Sequence, residues 1–295
     1  MANNEKIPIG IIYYEAYHDY EDKMLPKALK EKNMEVVLIP AEKQLDFFDI
    51  KEKTKKCKII YNDTICQPML FESLELSKTL EEFGKKVINS SYSFFYQEDK
   101  WMFYLKCLEH GISTPKTYLL HRETKYSKDA IKEILKNKQL VLKGIFSDNA
   151  KLIQRASNYP SFLKELRRIS KADPGSPILA QEYVPHSKKS YRATLINYKV
   201  RQFVAKISKS WKQTGSKKEH FRLVKINKDL KNICEKTARI LGMPVCGIDL
   251  IFNSGKWYII EANSCPALDF IYNDEKRLVK TLANYLYSEC KKRSR

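Results

Sequence analysis

No apolar run in this 295-residue chain approaches the ~20 residues needed to cross a bilayer, so no membrane span is expected. The opening MANNEKIPIG has no apolar stretch after a basic one, which argues against a secretory leader. Metal-spaced cysteine pairs are also missing. Seven cysteines stand at 57, 66, 107, 234, 246, 265 and 290, none as C-x-x-C. Their odd number points to reduced thiols in the cytoplasm rather than to disulfides or zinc. There is no G-x-G-x-x-G to seat a dinucleotide, no internal repeat and no low-complexity segment. Acidic residues are short: 35 Asp and Glu against 54 Lys and Arg leave a net charge of +19. Such a field attracts nucleotides, nucleic acid or an acidic protein, although stretches such as KALKEKNMEV and IKEILKNKQ read as solvated helix faces. Without an aromatic-basic module, nucleic acid is the weaker partner.

The length suggests two or three subdomains. Residues 7 to 90 alternate apolar runs (IPIGIIYY, EVVLIP, KIIYND, KVINS) with helical stretches at 20–33 and 68–83. That order fits a small α/β layer with a largely parallel sheet. Beyond Ser90 the texture changes. A helix is expected over 97–110, stopped by Gly111, and another over 159–170. Extended pieces are expected at 116–120, 140–143 and 178–183. A strand pair, YRATLINYKVRQFVAKI, turns at Asn197, Tyr198 and Lys199, and a helix over 228–241 leads into GIDLIFNSGKWYIIEANSCPA.

That last stretch puts Asp249, Glu261 and Asn263 among residues that read as two buried strands. Burying a carboxylate without a partner is costly. A three-residue turn at Asn253, Ser254 and Gly255 sets Phe252 opposite Lys256, with Asp249 and Glu261 as diagonal neighbours on the second face. A two-residue turn puts Asp249 opposite Ile260 and separates the acids. Two carboxylates and an amide oxygen suit a hard ion such as magnesium, which completes its shell with water and phosphate. The competing reading is that the acids form ordinary salt bridges. Lys143 in QLVLKGIF is a lone cation on an apolar strand; Arg192 and Lys206 alternate on the following strands and aim cations at phosphates. ILAQEYVP offers extended backbone at Gln181, Glu182, Tyr183 and Val184 to an adenine edge.

In this order the blocks VINSSYSFFYQEDKWMFYLKCLEHGISTPKTYLL, LVLKG, ILAQEYV, SYRATLINYKVRQFVAKI and GIDLIFNSGKWYIIEANSCPAL resemble the ATP-grasp superfamily. Within it they are most similar to the ribosomal-protein glutamate ligases and lysine-biosynthesis carrier-protein ligases. The resemblance covers roughly residues 87 to 271. It implies an α/β fold with α+β lobes: a Rossmann-like pre-ATP-grasp domain over 1–90, a small lobe with linker helix over 91–183, and a large lobe with the metal site over 184–295. By the same resemblance Lys100 and Lys143 contact ATP phosphates, and Gln181, Glu182, Tyr183 and Val184 form the adenine-ribose hinge. Arg192 and Lys206 steady the transferring phosphate, Arg222 serves as a substrate or phosphate contact, and Asp249, Glu261 and Asn263 hold Mg2+, with Mn2+ as a substitute.

The implied reaction phosphorylates a carboxylate with ATP and lets an amine attack the acyl phosphate, joining an amino acid to an acidic peptide, carrier protein or small acid. Two departures stand out. The loop after Lys143 (Gly144 to Lys151) has serine and alanine where glycines are expected, and Phe221-Arg222-Leu223-Val224 lacks an expected asparagine. They leave open a nucleotide-binding protein without chemistry, or a small-molecule kinase. The lysine-rich segment 208–219, with Trp211 and Lys212, is a candidate specificity loop. A homo-oligomer is a further expectation.

Overall fold

The computed structural model describes residues 6–14, 23–43, 46–64, 70–120, 128–145, 152–186, 189–207 and 220–294. The first apolar runs form β1 (Ile7–Tyr13), β2 (Met34–Pro40), β3 (Ile59–Asn62) and β4 (Lys86–Ile88), in the order β2-β1-β3-β4, every pair parallel. Parallel neighbours need crossovers that cover the faces. Here α1 (Met24–Lys30), α2 (Phe47–Lys53) and α3 (Leu70–Glu82) supply them. The expected order of elements omits α2. Its start is marked by Asp46, whose carboxylate accepts from the backbone N–H of Phe48 (2.6 Å) and Asp49 (3.3 Å).

The single helix expected over 97–110 is two: α4 (Ser91–Glu98) and α5 (Lys100–Glu109). Asp99 separates them, and its side chain caps α5 by accepting from Trp101 and Met102 N–H at 2.9 and 3.0 Å. Gly111, with φ +66°, takes the left-handed conformation that ends the run, as expected.

A second sheet, antiparallel, contains β5 (Thr117–Leu120), β6 (Leu140–Gly144), β7 (Ile153–Ala156) and β8 (Ile178–Glu182) in the order β5-β8-β6-β7. Helices α6 (Lys128–Asn137) and α7 (Tyr159–Ala172) cover one face, packing Ile131, Phe162 and Ile169 on Leu142 and Ala180. Strand alternation sends Lys143 to the other face.

The third sheet orders β9 (Lys189–Ile196), β10 (Lys199–Ile207), β11 (His220–Leu223), β12 (Val245–Asn253) and β13 (Lys256–Asn263) as β11-β10-β9-β12-β13. Asn227 caps α8 (Lys228–Ile240), accepting from Leu230 N–H at 2.8 Å. Leu230, Cys234 and Ala238, spaced four apart, pack on Ala193, Leu195 and Ile248. Phe103 and Cys107 of α5 join this core, across the boundary expected at residue 184. So does the closing helix in the opposite sense. In α9 (Glu275–Ser294), Leu278, Leu282 and Leu286 pack with Ile9, Ile11 and Leu29 of the first unit.

One buried side chain ties the first unit to the third sheet. Asn89 is 1% exposed; its Nδ2 donates to the carbonyls of Val245 (2.6 Å) and Ser264, and its Oδ1 accepts from Val245 N–H at 3.2 Å. Replacing it, Asn89→Ala, orphans buried backbone groups, each costing about 1–3 kcal/mol. Chemical denaturation should show a loss in that range, against near-neutral behaviour for the exposed Lys51→Ala.

Candidate functional site

The hairpin of β12 and β13 turns at two residues, Ser254 (φ +48°) and Gly255 (φ +79°), not three, so Asn253 faces Lys256 and Phe252 faces Trp257. Continued unbroken, that register would set Asp249 against Ile260. A β-bulge intervenes: Leu250 pairs with Ile259, and the next pair is Asp249 with Glu261. Ile260 is the extra residue. The two acids are directly opposite, closer than the diagonal expected from a three-residue turn. Asn263 pairs with Gly247 one step further along the same face.

Arg192 on β9 completes the row. It pairs with Asp249 across the ladder, and its guanidinium grips the carboxylate at both oxygens, Nε to Oδ1 at 2.5 Å and Nη2 to Oδ2 at 2.6 Å. The salt-bridge reading of Asp249 is thus fulfilled by Arg192. Glu261 differs. Burial and the facing Asp249 carboxylate raise its pKa, with Lys100 and Arg192 pulling the other way, yet part of its surface stays open. This half-buried, desolvated carboxyl lies on the floor of a cleft. Asn263 Nδ2 is buried with no hydrogen-bond partner. Its neighbour Ser264 is held by Gln97 of α4, whose Oε1 accepts from Ser264 N–H and Oγ–H at 2.5 and 2.7 Å.

The second sheet faces this row with cations. Lys143 is 6% exposed and donates to Gln181 Oε1 at 3.1 Å. Gln181 Nε2 donates in turn to Thr117 Oγ1 at 2.9 Å. Burial, then the charge of Lys100, pushes the Lys143 pKa down to about 8, with Glu261 opposing. Lys143, Lys100 and Glu261 therefore share one space between two sheets. Lys100, first residue of α5, donates to the Ile145 carbonyl at 3.2 Å.

The hinge is only partly as expected. Gln181 orients Lys143. The Glu182 side chain points away from the cleft, accepting from Tyr118 OH (3.3 Å) and pairing with Lys138 (3.1 Å), because it shares a row with Leu140 on the helix-covered face. The N–H groups of Glu182 and Tyr183 are taken by the Lys116 and Gln139 carbonyls, both at 2.8 Å. Val184 makes no backbone hydrogen bond among the described residues, which leaves it to meet a ligand edge. The Tyr183 ring carries Arg155, 4.9 Å from its centroid.

Lys206 lies on the cleft face, two residues from the position facing Arg192, 5.8 Å from the Phe221 ring. Arg222 does not join it. It pairs with Ala205, which pairs with Tyr191, so alternation turns Arg222 to the face covered by α8, where it is exposed. Phe221 takes the cleft side instead and packs on Phe270 at 4.8 Å, whose ring also carries Arg192 at 5.3 Å. Phe221, Phe270, Arg155, Asn89 and Gln97 escape sequence reading. Of these, Arg155 alone had a usable signal, since it lies two residues from Ile153 and so shares the face of Lys143. The expected phosphate loop at 146–151 and specificity loop at 208–219 lie outside the described residues.

The donor set fits magnesium. Among the described residues no three His, Cys, Asp or Glu side chains cluster as a metal site. Two acids and an unengaged amide form an incomplete oxygen shell that water and phosphate complete. A cation also removes the repulsion that raises the Glu261 pKa.

A family profile described as "RimK-like ATP-grasp domain" matches residues 97–285. The chain belongs to the RimK-like ATP-grasp family. It is similar to the coenzyme gamma-F420-2:alpha-L-glutamate ligase of Methanococcus maripaludis, 24% identical over 275 residues, covering 88% of this chain and 94% of that one. The solved D-alanine–D-alanine ligase from Bacillus anthracis superposes with a TM-score of 0.73 at 13% identity, over 98% of this chain and 100% of that one. ATP-grasp ligase PsnB, solved with a minimal precursor, Mg and ADP, superposes at 0.69 and 13% identity, over 96% and 98% of the two chains. Membership bears out the α/β ATP-grasp fold and makes this chain an ATP-dependent ligase, of a family that uses ATP and magnesium. No helix among the described residues is long and apolar enough to cross a membrane.

The depressed Lys143 pKa has a signed consequence. Its folded value lies below the unfolded one, so the protonated lysine opposes folding below pH 8, and the penalty fades as pH rises toward 10.5. The cost at pH 7 is roughly 3 kcal/mol, against about 1 kcal/mol returned by the Gln181 hydrogen bond. Lys143→Met should therefore raise the Tm of the nucleotide-free protein by a few degrees at pH 7 and abolish its stabilisation by ATP. In the unaltered ATP-grasp protein, ATP affinity should fall as pH rises through about 8, with proton uptake on binding, measured by calorimetry in two buffers.

Proposed function

We propose that this ATP-grasp ligase activates a carboxylate as an acyl phosphate and joins it to an amine, linking an amino acid to an acidic peptide, carrier protein or small acid. Glutamate is the favoured amino acid, from the name of the Methanococcus maripaludis relative. One observation supports the reading most: Asp249 and Glu261 stand face to face on one sheet, and Glu261 lies within electrostatic reach of Lys143 and Lys100.

The reaction needs no protein nucleophile, only placement and charge. Lys100 and Lys143 hold the phosphate chain, and the Val184 backbone meets the base. A substrate carboxylate oxygen attacks the γ-phosphorus, the bond to the β-phosphate breaks, and ADP leaves. Arg192 and Lys206, on the same face of the third sheet, neutralise the acyl phosphate. The amine then attacks the acyl carbon, loses a proton and expels phosphate. Mg2+ or Mn2+ held by Asp249, Glu261 and Asn263 supplies charge neutralisation to the phosphates. Cysteine chemistry suits the cytoplasm: five of the six described cysteines are buried.

A second reading, nucleotide binding without chemistry, draws on the double grip of Arg192 on Asp249, which leaves that carboxylate less free for a metal. Turnover separates the two. With ATP, Mg2+, glutamate and acidic acceptors, ADP and phosphate should appear together with a mass-shifted amide product, and Glu261→Gln should slow release by roughly 10²-fold. ATP-induced thermal stabilisation without acceptor-dependent ADP release would establish the second reading instead.

A further inference from the structure

Helix α7 has two faces. Phe162 and Ile169 enter the core of the second sheet. On the other side Pro160, Leu163, Lys164, Arg167, Arg168 and Lys171, spaced three and four apart, line a surface depression of about 540 Å³. We propose that this face docks an acidic helix of a polypeptide partner. The ligase reading enters only in taking that partner to carry the substrate.

Elsewhere in the chain some lysines have a local acid to pair with. Lys55, Lys78, Lys106, Lys136 and Lys292 each pair with a glutamate three residues away. On α7 the one acid, Glu165, is spent on Arg168 Nε at 2.7 Å. Lys164, Arg167 and Lys171 have no carboxylate within ion-pair distance among the described residues, and Arg168 Nη2 is buried with no acceptor. Like charges then meet at helical spacing in Lys164–Arg167, Lys164–Arg168, Arg167–Lys171 and Arg168–Lys171. Each such contact works against the helix rather than for it. Carboxylates arriving from a partner relieve that repulsion.

Half-buried Leu163 between the cations gives the depression an apolar floor, and none of its six lining residues is aromatic. That combination favours an amphipathic acidic helix over a nucleic acid, whose bases look for stacking platforms. From Lys164 to Lys171 the stripe runs about 10 Å at ~1.5 Å per residue, two turns of a partner helix. It lies on the side of the second sheet opposite Lys143, so docking leaves the cleft open. About ten extended residues, spanning roughly 33 Å, carry a substrate terminus round the sheet edge.

The test uses the full-length protein and a fluorescein-labelled 15-residue helical peptide with glutamates at i, i+3, i+4 and i+7 around a leucine. Anisotropy should show binding that weakens with salt and falls at least tenfold in the double variant Lys164→Glu/Arg167→Glu. That variant should keep its Tm, since repulsion is relieved, and its thermal shift with ATP. No binding by the unaltered protein, unchanged affinity in the variant, or equally tight binding of a single-stranded oligonucleotide of the same charge each overturns the proposal. ADP release assayed on the same samples reports on the ligase reading separately.

Discussion

Two carboxylates held across one rung of a β-ladder repel each other, and the cleft is arranged around that repulsion. Asp249 is neutralised by the double grip of Arg192, while Glu261 is left with a raised pKa and an open side. Lys143 and Lys100 stand across from it, the first desolvated enough to hold its own proton loosely. Neither side is at rest by itself. Acids pressed together and lysines pressed together are both relieved by a particle carrying cations on one flank and phosphates on the other. The geometry is complementary to a metal polyphosphate before any ligand arrives.

The outer layers serve that arrangement. The second sheet packs α6 and α7 on one face, and the third packs α8 on one face while α9 reaches the other only around Ile196 and Val245, which leaves the stretch with Arg192, Asp249 and Glu261 for polar chemistry. Asn89 and Gln97 lock the segment after Asn263 from two directions, which fixes Asn263 in place without using its amide. Phe221 and Phe270 do the same for the cations, giving Lys206 and Arg192 aromatic faces to lie on.

Which residues belong to the cleft was largely legible in the sequence, because period-two alternation separates Asp249, Glu261 and Asn263 from their apolar neighbours. How they meet was not. Turn length and bulge each shift the register by one residue in the same direction, and only together do they bring Glu261 opposite Asp249, so counting from Ser254 and Gly255 alone gives the wrong partner for Asp249. Arg222 failed for the same reason in reverse: a motif position does not say which face of a short edge strand a side chain takes. Of the helices missed, α2 and α4 are short and begin at caps, Asp46 and Ser90, which hydrophobic spacing does not register, whereas α9 is twenty residues long and ends in a basic run that masks its apolar face. Contacts such as Asn89 with Val245 join residues far apart in the chain, and no local pattern announces them.

The position of α9 bears on how the molecule is made. Its apolar face closes over strands made well before it, and roughly 190 residues separate β4 from α9. At about 5–20 residues per second the ribosome takes on the order of 10–40 s to cover that interval. Throughout it Ile9, Ile11 and Leu29 wait without their final cover. The first unit is therefore the last to be sealed, and aggregation during synthesis has its window there rather than in the nucleotide cleft.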